Sequence, residues 1–171
     1  MGTRGLTQVI HKQKFVIAQY GQWDHYPSGQ GLTALHILQT MDFEKFKNQL
    51  EKCRFTTEED EKKINEFSTS IGSPDGWMSQ EQATLFDAEY PYFTRNLGAE
   101  ILEKVYQSED SEILLQNSSD YENEAEGVFT INMDDMTYNV RHYDLDITFD
   151  LNNLPTELEY TLATKYRMKN K

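Results

Sequence analysis

Hydrophobic positions recur with two different periods along this chain, and the changes of period divide it into three parts. "GLTQVIH" (5–11) and "KFVIAQY" (14–20) are rich in β-branched and aromatic residues. A short connection from His11 to Lys14 separates them, which is the pattern of a β-hairpin. From residue 31 the period lengthens: "GLTALHILQTM" (31–41) places Ala34, Ile37, Leu38 and Met41 at i, i+3, i+4 and i+7, one face of a helix. Asp42 stands where it caps a second helix, "FEKFKNQLEKC", with Phe43, Phe46 and Leu50 on one side and Cys53 at its end. Thr56 with Glu59 reads as a capping box for a third helix running through Ile64 and Phe67. "GSPDGW" (72–77) is a turn cluster, and 79–87 and 97–107 read as two further helices.

Beyond residue 118 the texture changes again. "SSDYENEAE" (118–126) is polar and acidic and reads as a loop. "GVFTINMDDMTYNVRHY" follows as a second hairpin, with Asp134 and Asp135 near its turn. "DLDITFDL" (144–151) alternates strictly, with Leu145, Ile147, Phe149 and Leu151 on one face and Asp144, Asp146, Thr148 and Asp150 on the other. From Pro155 the chain reads as a short helix or an extended run. No repeat and no interdomain linker interrupts this order. The expectation is a single α+β domain spanning 1–171, with an N-terminal β-hairpin, central helices and C-terminal antiparallel strands.

Charge changes that picture more than composition does. The 171 residues carry a net charge of −13, and aromatic residues make up 12%, enough for a packed core. Residues 105–164 hold 14 Asp/Glu against Arg141 alone, so this acidic C-terminal half carries nearly all the imbalance. A basic tail, 165–171, adds four Lys/Arg. Such a field repels nucleic acid and anionic membranes and attracts basic protein surfaces. No apolar run approaches the 18 residues that span a bilayer, and the N-terminus lacks the pattern of a secretory signal. One cysteine, Cys53, excludes an internal disulfide framework and fits a cytoplasmic setting.

Two groups of residues are candidates for function. The first is "AQYGQWDHYPSGQG" (18–31), between the hairpin and the first helix. Tyr20, Trp23 and Tyr26 would form an aromatic wall, with Gln22, Asp24 and Ser28 as polar contacts and Arg4 as a partner for an anion. The competing reading is a tight strand-to-helix corner whose glycines supply unusual dihedrals and whose Trp23 plugs the core. The second group is acidic: Glu122, Glu124, Glu126, Asp134, Asp135, Asp144, Asp146 and Asp150. On a strand Asp144 and Asp146 lie about 6.6–6.8 Å apart, of the same order as the step between phosphates. A surface of that kind would occupy a basic nucleic-acid channel; the plainer reading is a solvated sheet face whose charges discourage edge pairing.

Other chemistry is thinner. His142 and Asp144, two apart, would share a strand face, and Asp24 adjoins His25, but neither pair has a third ligand at metal spacing. Lys52 and Arg54 flank Cys53, an arrangement that lowers a thiol pKa where the group is solvated. Ser28 lacks a nucleophile-elbow pattern. No catalytic residue, cofactor or metal is expected.

"MGTRGLTQVI", "VIAQYGQWDHYPSGQG" and "YPYFTRNLGAEILEKV", with the late hairpin, resemble a group of small uncharacterised proteins of bacteriophages and mobile elements, in which position 25 is more often glycine. At fold level the order of elements is also similar to Ntn hydrolases. Those enzymes need Cys, Ser or Thr as first residue, which Met1, Gly2 and an acylated Thr3 do not supply. The phage resemblance implies an accessory protein that acts by binding: an anti-CRISPR-like inhibitor in the host cytoplasm, seated by its acidic surface on a basic nucleic-acid-binding nuclease. It binds no nucleic acid or membrane directly and leaves room for a homodimer. The alternative is a protein for a small polar or nucleotide-like ligand, a sponge or hydrolase, built on the 18–31 loop.

Overall fold

The computed structural model describes residues 2–94 and 96–169, with side chains as far as Lys165. The rest of the expected basic tail therefore lies outside the described side chains. Strands β1 (Gly5–His11) and β2 (Lys14–Gly21) form the expected hairpin. Its two-residue turn, Lys12–Gln13, has φ of 53° and 65°. That left-handed geometry normally falls to Asn-Gly, and here an outside group supports it. The Asp134 carboxylate accepts both turn N–H groups, at 2.9 and 2.7 Å. A bulge sets Val9 opposite Ile17 and Ile10 opposite Phe15, so Val16 is the extra residue. Val16 and Ile17 both enter the core as a result.

A single wide turn, Pro27–Gly31, closed by Gly31 N–H on the Tyr26 carbonyl at 3.2 Å, leads into α1 (Leu32–Gln39). Asp42 caps α2 (Phe43–Leu50) as expected, accepting from the N–H groups of Glu44 and Lys45. Cys53 does not end that helix: it begins β3 (Cys53–Phe55). The next cap lies one residue later than its sequence pattern suggested, with Thr57 and Asp60 making the reciprocal box for α3 (Glu58–Ser70). The cause is a tertiary contact, because Thr56 N–H is already engaged by the Leu115 carbonyl at 3.1 Å. Ser79 and Gln82 box α4 (Gln80–Glu89), and α5 (Ile101–Gln107) precedes β4 (Ile113–Leu115), the parallel partner of β3. Residues 119–123 form a 3₁₀ turn rather than an open loop.

Strands β5 (Gly127–Asn132), β6 (Thr137–His142) and β7 (Leu145–Asp150) form an antiparallel meander, and α6 (Glu157–Lys169) follows. Asp144 lies in the β6–β7 turn beside Tyr143 (φ 52°), not on the strand. The sheet order is β2-β1-β5-β6-β7, with β1 and β5 parallel. The sheet is thus mixed, since every helix up to α5 lies in the crossover between β1 and β5 and returns the chain in the same direction. The architecture is α+β in one domain.

One face of the sheet, with Val9, Ile17, Phe129, Ile131, Tyr138 and Val140, joins α1, α2, α5 and α6 in a continuous core. Two buried tyrosines tie that core to the turn before α1. Tyr138 donates to the Gly31 carbonyl at 2.7 Å and Tyr160 to the Pro27 carbonyl at 2.6 Å. Replacing Tyr160 with Phe keeps the packing and strands a buried carbonyl, a loss of about 1–3 kcal/mol. Urea denaturation of Tyr160→Phe checks this; an unchanged midpoint would show that the Tyr160 hydroxyl does not hold the turn.

Candidate interaction surface

Five residues, one from each strand, form the last row of the sheet: Gly21, Gly5, Gly127, His142 and Leu145. Three adjacent glycines leave a notch on the core side, and the ring of His25 fills it. A Cβ on Gly21 or Gly5 would strike that ring, and one on Gly127 would strike the His25 carbonyl. The ring also stacks on Phe129 at 5.6 Å between centroids, and the His25 N–H donates to the Thr3 carbonyl at 3.1 Å. The plug of this corner is therefore His25, fully buried, and not Trp23, which is 50% exposed.

Burial holds His25 neutral, lowering its pKa to about 4 against weaker opposing contributions from the Trp23 carbonyl and Asp24. Its Nδ1 lies 3.1 Å from the Trp23 carbonyl, and Nε2 meets no hydrogen-bonding partner among the described residues. His142 is also buried, and burial lowers its pKa while Glu126 opposes the shift. Its ring sits between those of Tyr26 (5.6 Å) and Tyr143 (4.6 Å). With Asp144 in the turn, the shared strand face expected for His142 and Asp144 does not form. Among the described residues no cluster of three His, Cys, Asp or Glu could hold a metal. Cys53 differs from its flanking-charge reading, because burial pushes its thiol up to about 12.

The 18–31 loop is anchored from beneath by His25 and its backbone, and several of its other side chains face outward. Asp24 (φ 59°) turns its carbonyl to Gln30 N–H at 2.7 Å, close against Gly29. Gln30 in turn accepts Ala99 N–H at 2.8 Å. Above these anchors Trp23, Tyr26, Asp24 and Ser28 are exposed. Tyr20 donates to Gln22 at 2.6 Å and meets the Tyr121 ring edge-on at 5.1 Å. These two tyrosines, with Gln116, Ser118, Asp120 and Glu124, line a shallow groove of about 550 Å³.

The two candidate groups meet at this end of the sheet. Arg4 and Glu126 are joined by Arg4 N–H to Oε2 at 3.1 Å and by Glu126 N–H to the Arg4 carbonyl at 3.0 Å. Tyr143 reaches Glu126 at 3.4 Å, and Arg141 pairs with Glu122 at 2.9 Å. Asp146 stands opposite Arg141 in the β6–β7 register and accepts from Asn139 at 2.7 Å. The remaining acids lie elsewhere. Asp134, Asp135 and Asp150 sit at the opposite end, about 17 Å away along six-residue strands. Asp134 is the clamp of the β1–β2 turn, and the two N–H groups it accepts lower its pKa. Asp135 accepts from Asn132, and Asp150 accepts Asn152 N–H. The eight carboxylates thus do not form one face. In the sequence His25 figures as a candidate only beside Asp24, as an incomplete metal pair, and Tyr143 not at all; the clue to the role of His25 as a plug was Gly5, Gly21 and Gly127, small residues inside strands.

No known protein family, curated protein or solved structure matches this chain.

The buried histidine gives a pH dependence with a definite sign. Its folded pKa of about 4 lies below the unfolded value of 6.5, so the unfolded chain takes up the proton first. Stability is full above pH 6.5 and falls between pH 6.5 and 4, by about 3 kcal/mol for this group. Denaturation midpoints at pH 7, 5.5 and 4.5 should fall steadily. An NMR titration of the His25 ring should show it neutral at pH 5; a protonated ring there would refute the assignment.

Proposed function

We propose that this protein acts by binding, docking the aromatic and acidic end of its sheet on a basic surface of a partner protein. The observation that carries this reading is the joint exposure of Trp23 (50%), Tyr26 (46%) and Tyr143 (71%), with Asp24 and Asp144 next to them in the chain, Glu126 within reach of Tyr143, and Asp146 on the reverse face of the same strand end. Tryptophan, tyrosine and arginine dominate binding energy where rings leave water, and a charged rim steers the approach. Tyr26 and Tyr143 rest on the buried His142 ring, so they are presented with little ordering cost. A nuclease with a basic nucleic-acid channel is the class of partner this chemistry fits, and inhibition by occupying that channel is the corresponding activity. The resemblance to phage and mobile-element proteins supports an anti-defence role of this kind.

The Tyr20–Tyr121 groove favours a second reading, a small ligand stacked against those rings. Asp120 and Glu124 line the same groove and repel anions, so such a ligand would be uncharged or cationic rather than a nucleotide.

Three variants separate these readings, assayed as protection of target DNA from a purified guide-loaded nuclease. Tyr143→Asn keeps a residue suited to the positive-φ turn, and together with Trp23→Ala it should cost at least about tenfold in half-inhibitory concentration. Asp144→Asn with Asp146→Asn should weaken inhibition most at low salt, whereas Asp150→Asn, at the far end, should leave it unchanged. Undiminished protection by the aromatic variant would refute this surface as the docking site.

A further inference from the structure

Helices α3 and α4 form an arm with a chemistry of its own. It contributes almost nothing to the main core: α4 buries no residue, and α3 buries only Ser68. Rings hold it together instead. Phe67 meets Phe86 at 6.2 Å and Tyr90 at 5.7 Å; Tyr90 meets Phe86 at 5.3 Å and Phe93 at 5.6 Å. Its base is pinned by Arg54, which forks onto both carboxylate oxygens of Asp60 at 2.6 and 3.0 Å and reaches Glu112 at 3.1 Å. That pairing drives Asp60 far below the usual carboxylate range. Residues 57–90 carry nine Asp/Glu against Lys62 and Lys63, a net charge of −7.

Where the two helices meet the chain at Thr56, Phe93 and Gln116 is a crevice of about 320 Å³. Half-buried Ile64, Phe86 and Phe93 give it an apolar side; exposed Glu61 and Asn65, with Thr56 and Gln116, make the rest of its lining polar. Glu61 and Asn65 also line a neighbouring groove along α3, of about 580 Å³, with Glu58, Glu66 and Lys62. A crevice with one apolar wall and carboxylates beside it is the complement of an aliphatic side chain followed by a cation, which can also lie against a ring face. Burial, together with Glu89 and Asp60, pushes the Tyr90 hydroxyl up, as expected beside a concentration of negative charge.

We propose that the α3–α4 crevice is a second docking site, which takes a basic, leucine-bearing peptide segment of a partner protein. The aliphatic side chain enters between Ile64, Phe86 and Phe93, and the adjacent arginine or lysine pairs with Glu61 and the groove carboxylates. Gln116 lines both this crevice and the Tyr20–Tyr121 groove, but Trp23, Tyr26 and Tyr143 take no part in the crevice, so the aromatic docking surface and this site can fail their tests separately.

The probe is acetyl-Leu-Arg-Leu-Arg-amide, titrated into the full ¹⁵N-labelled chain and followed by amide shifts. Saturable shifts are expected at Glu61, Ile64, Asn65, Phe86 and Phe93, with none at Trp23 or Tyr143. Glu61→Gln should weaken binding about three- to fivefold, what an exposed ion pair supplies. Asn65→Trp, at an exposed position that crowds the crevice without touching the core, should abolish it. Peptides with Glu for Arg, or Ser for Leu, should not bind. Absence of saturable shifts, equal binding of the Ser-for-Leu peptide, or indifference to both Glu61→Gln and Asn65→Trp would overturn the proposal.

Discussion

The close approach of Gly5, Gly21 and Gly127 around the ring of His25 is the constraint on which the rest of the molecule depends. Three neighbouring strands must each lack a side chain at the same level, or the histidine cannot enter. Once it does, the chain leaving β2 is fixed in direction, the Pro27–Gly31 turn lies within reach of Tyr138 and Tyr160, and α1 packs on the sheet. The parallel β1–β5 pair is involved from both sides, because Gly5 and Gly127 are partners in it. Close packing of this kind tolerates no extra carbon atom, so one row of absent side chains positions both the core and the rings that face solvent.

Much of the fold is legible in the sequence because its local signals are strong. Runs rich in β-branched and aromatic residues, and in β7 a strict alternation, mark the five long strands, and period-3.6 runs with Asp42 and a Thr-x-x-acid box mark α2 and α3. What escapes notice is set by distance. Strands β3 and β4 have three residues each, too few for a period, and they exist because Lys52 to Phe55 and Ile113 to Leu115 meet across the fold. The same pairing draws Thr56 into the sheet and moves the helix cap to Thr57. The parallel register of β1 with β5 has no local signature, since the two strands are separated by more than a hundred residues.

The surface is legible only in part, for a similar reason. A carboxylate in a sequence is a charge, whereas in a structure it is first an acceptor with geometry. Asp134 looks like one more member of an acidic patch and proves to be a turn clamp; Glu122 and Glu126 are engaged by Arg141 and by Arg4 and Tyr143. Segregation by sequence half likewise misleads, because the α3–α4 arm is as strongly acidic as parts of the C-terminal half. Its charge is masked in a running sum by the basic residues that precede it.

The clamp at Lys12 and Gln13 also bears on how this chain assembles. A hairpin is ordinarily the most self-sufficient of β units, complete as soon as its own residues exist. Here the left-handed turn of β1–β2 receives its two hydrogen-bond acceptors from a residue more than 120 positions away. As the N-terminal segment emerges during synthesis, its turn is left to solvent until the β5–β6 hairpin is made and docks in parallel beside it. Long-range closure of that kind slows folding and makes it cooperative. The first and last thirds of the chain thus become native together, and the helices between them are the loop that this closure draws tight.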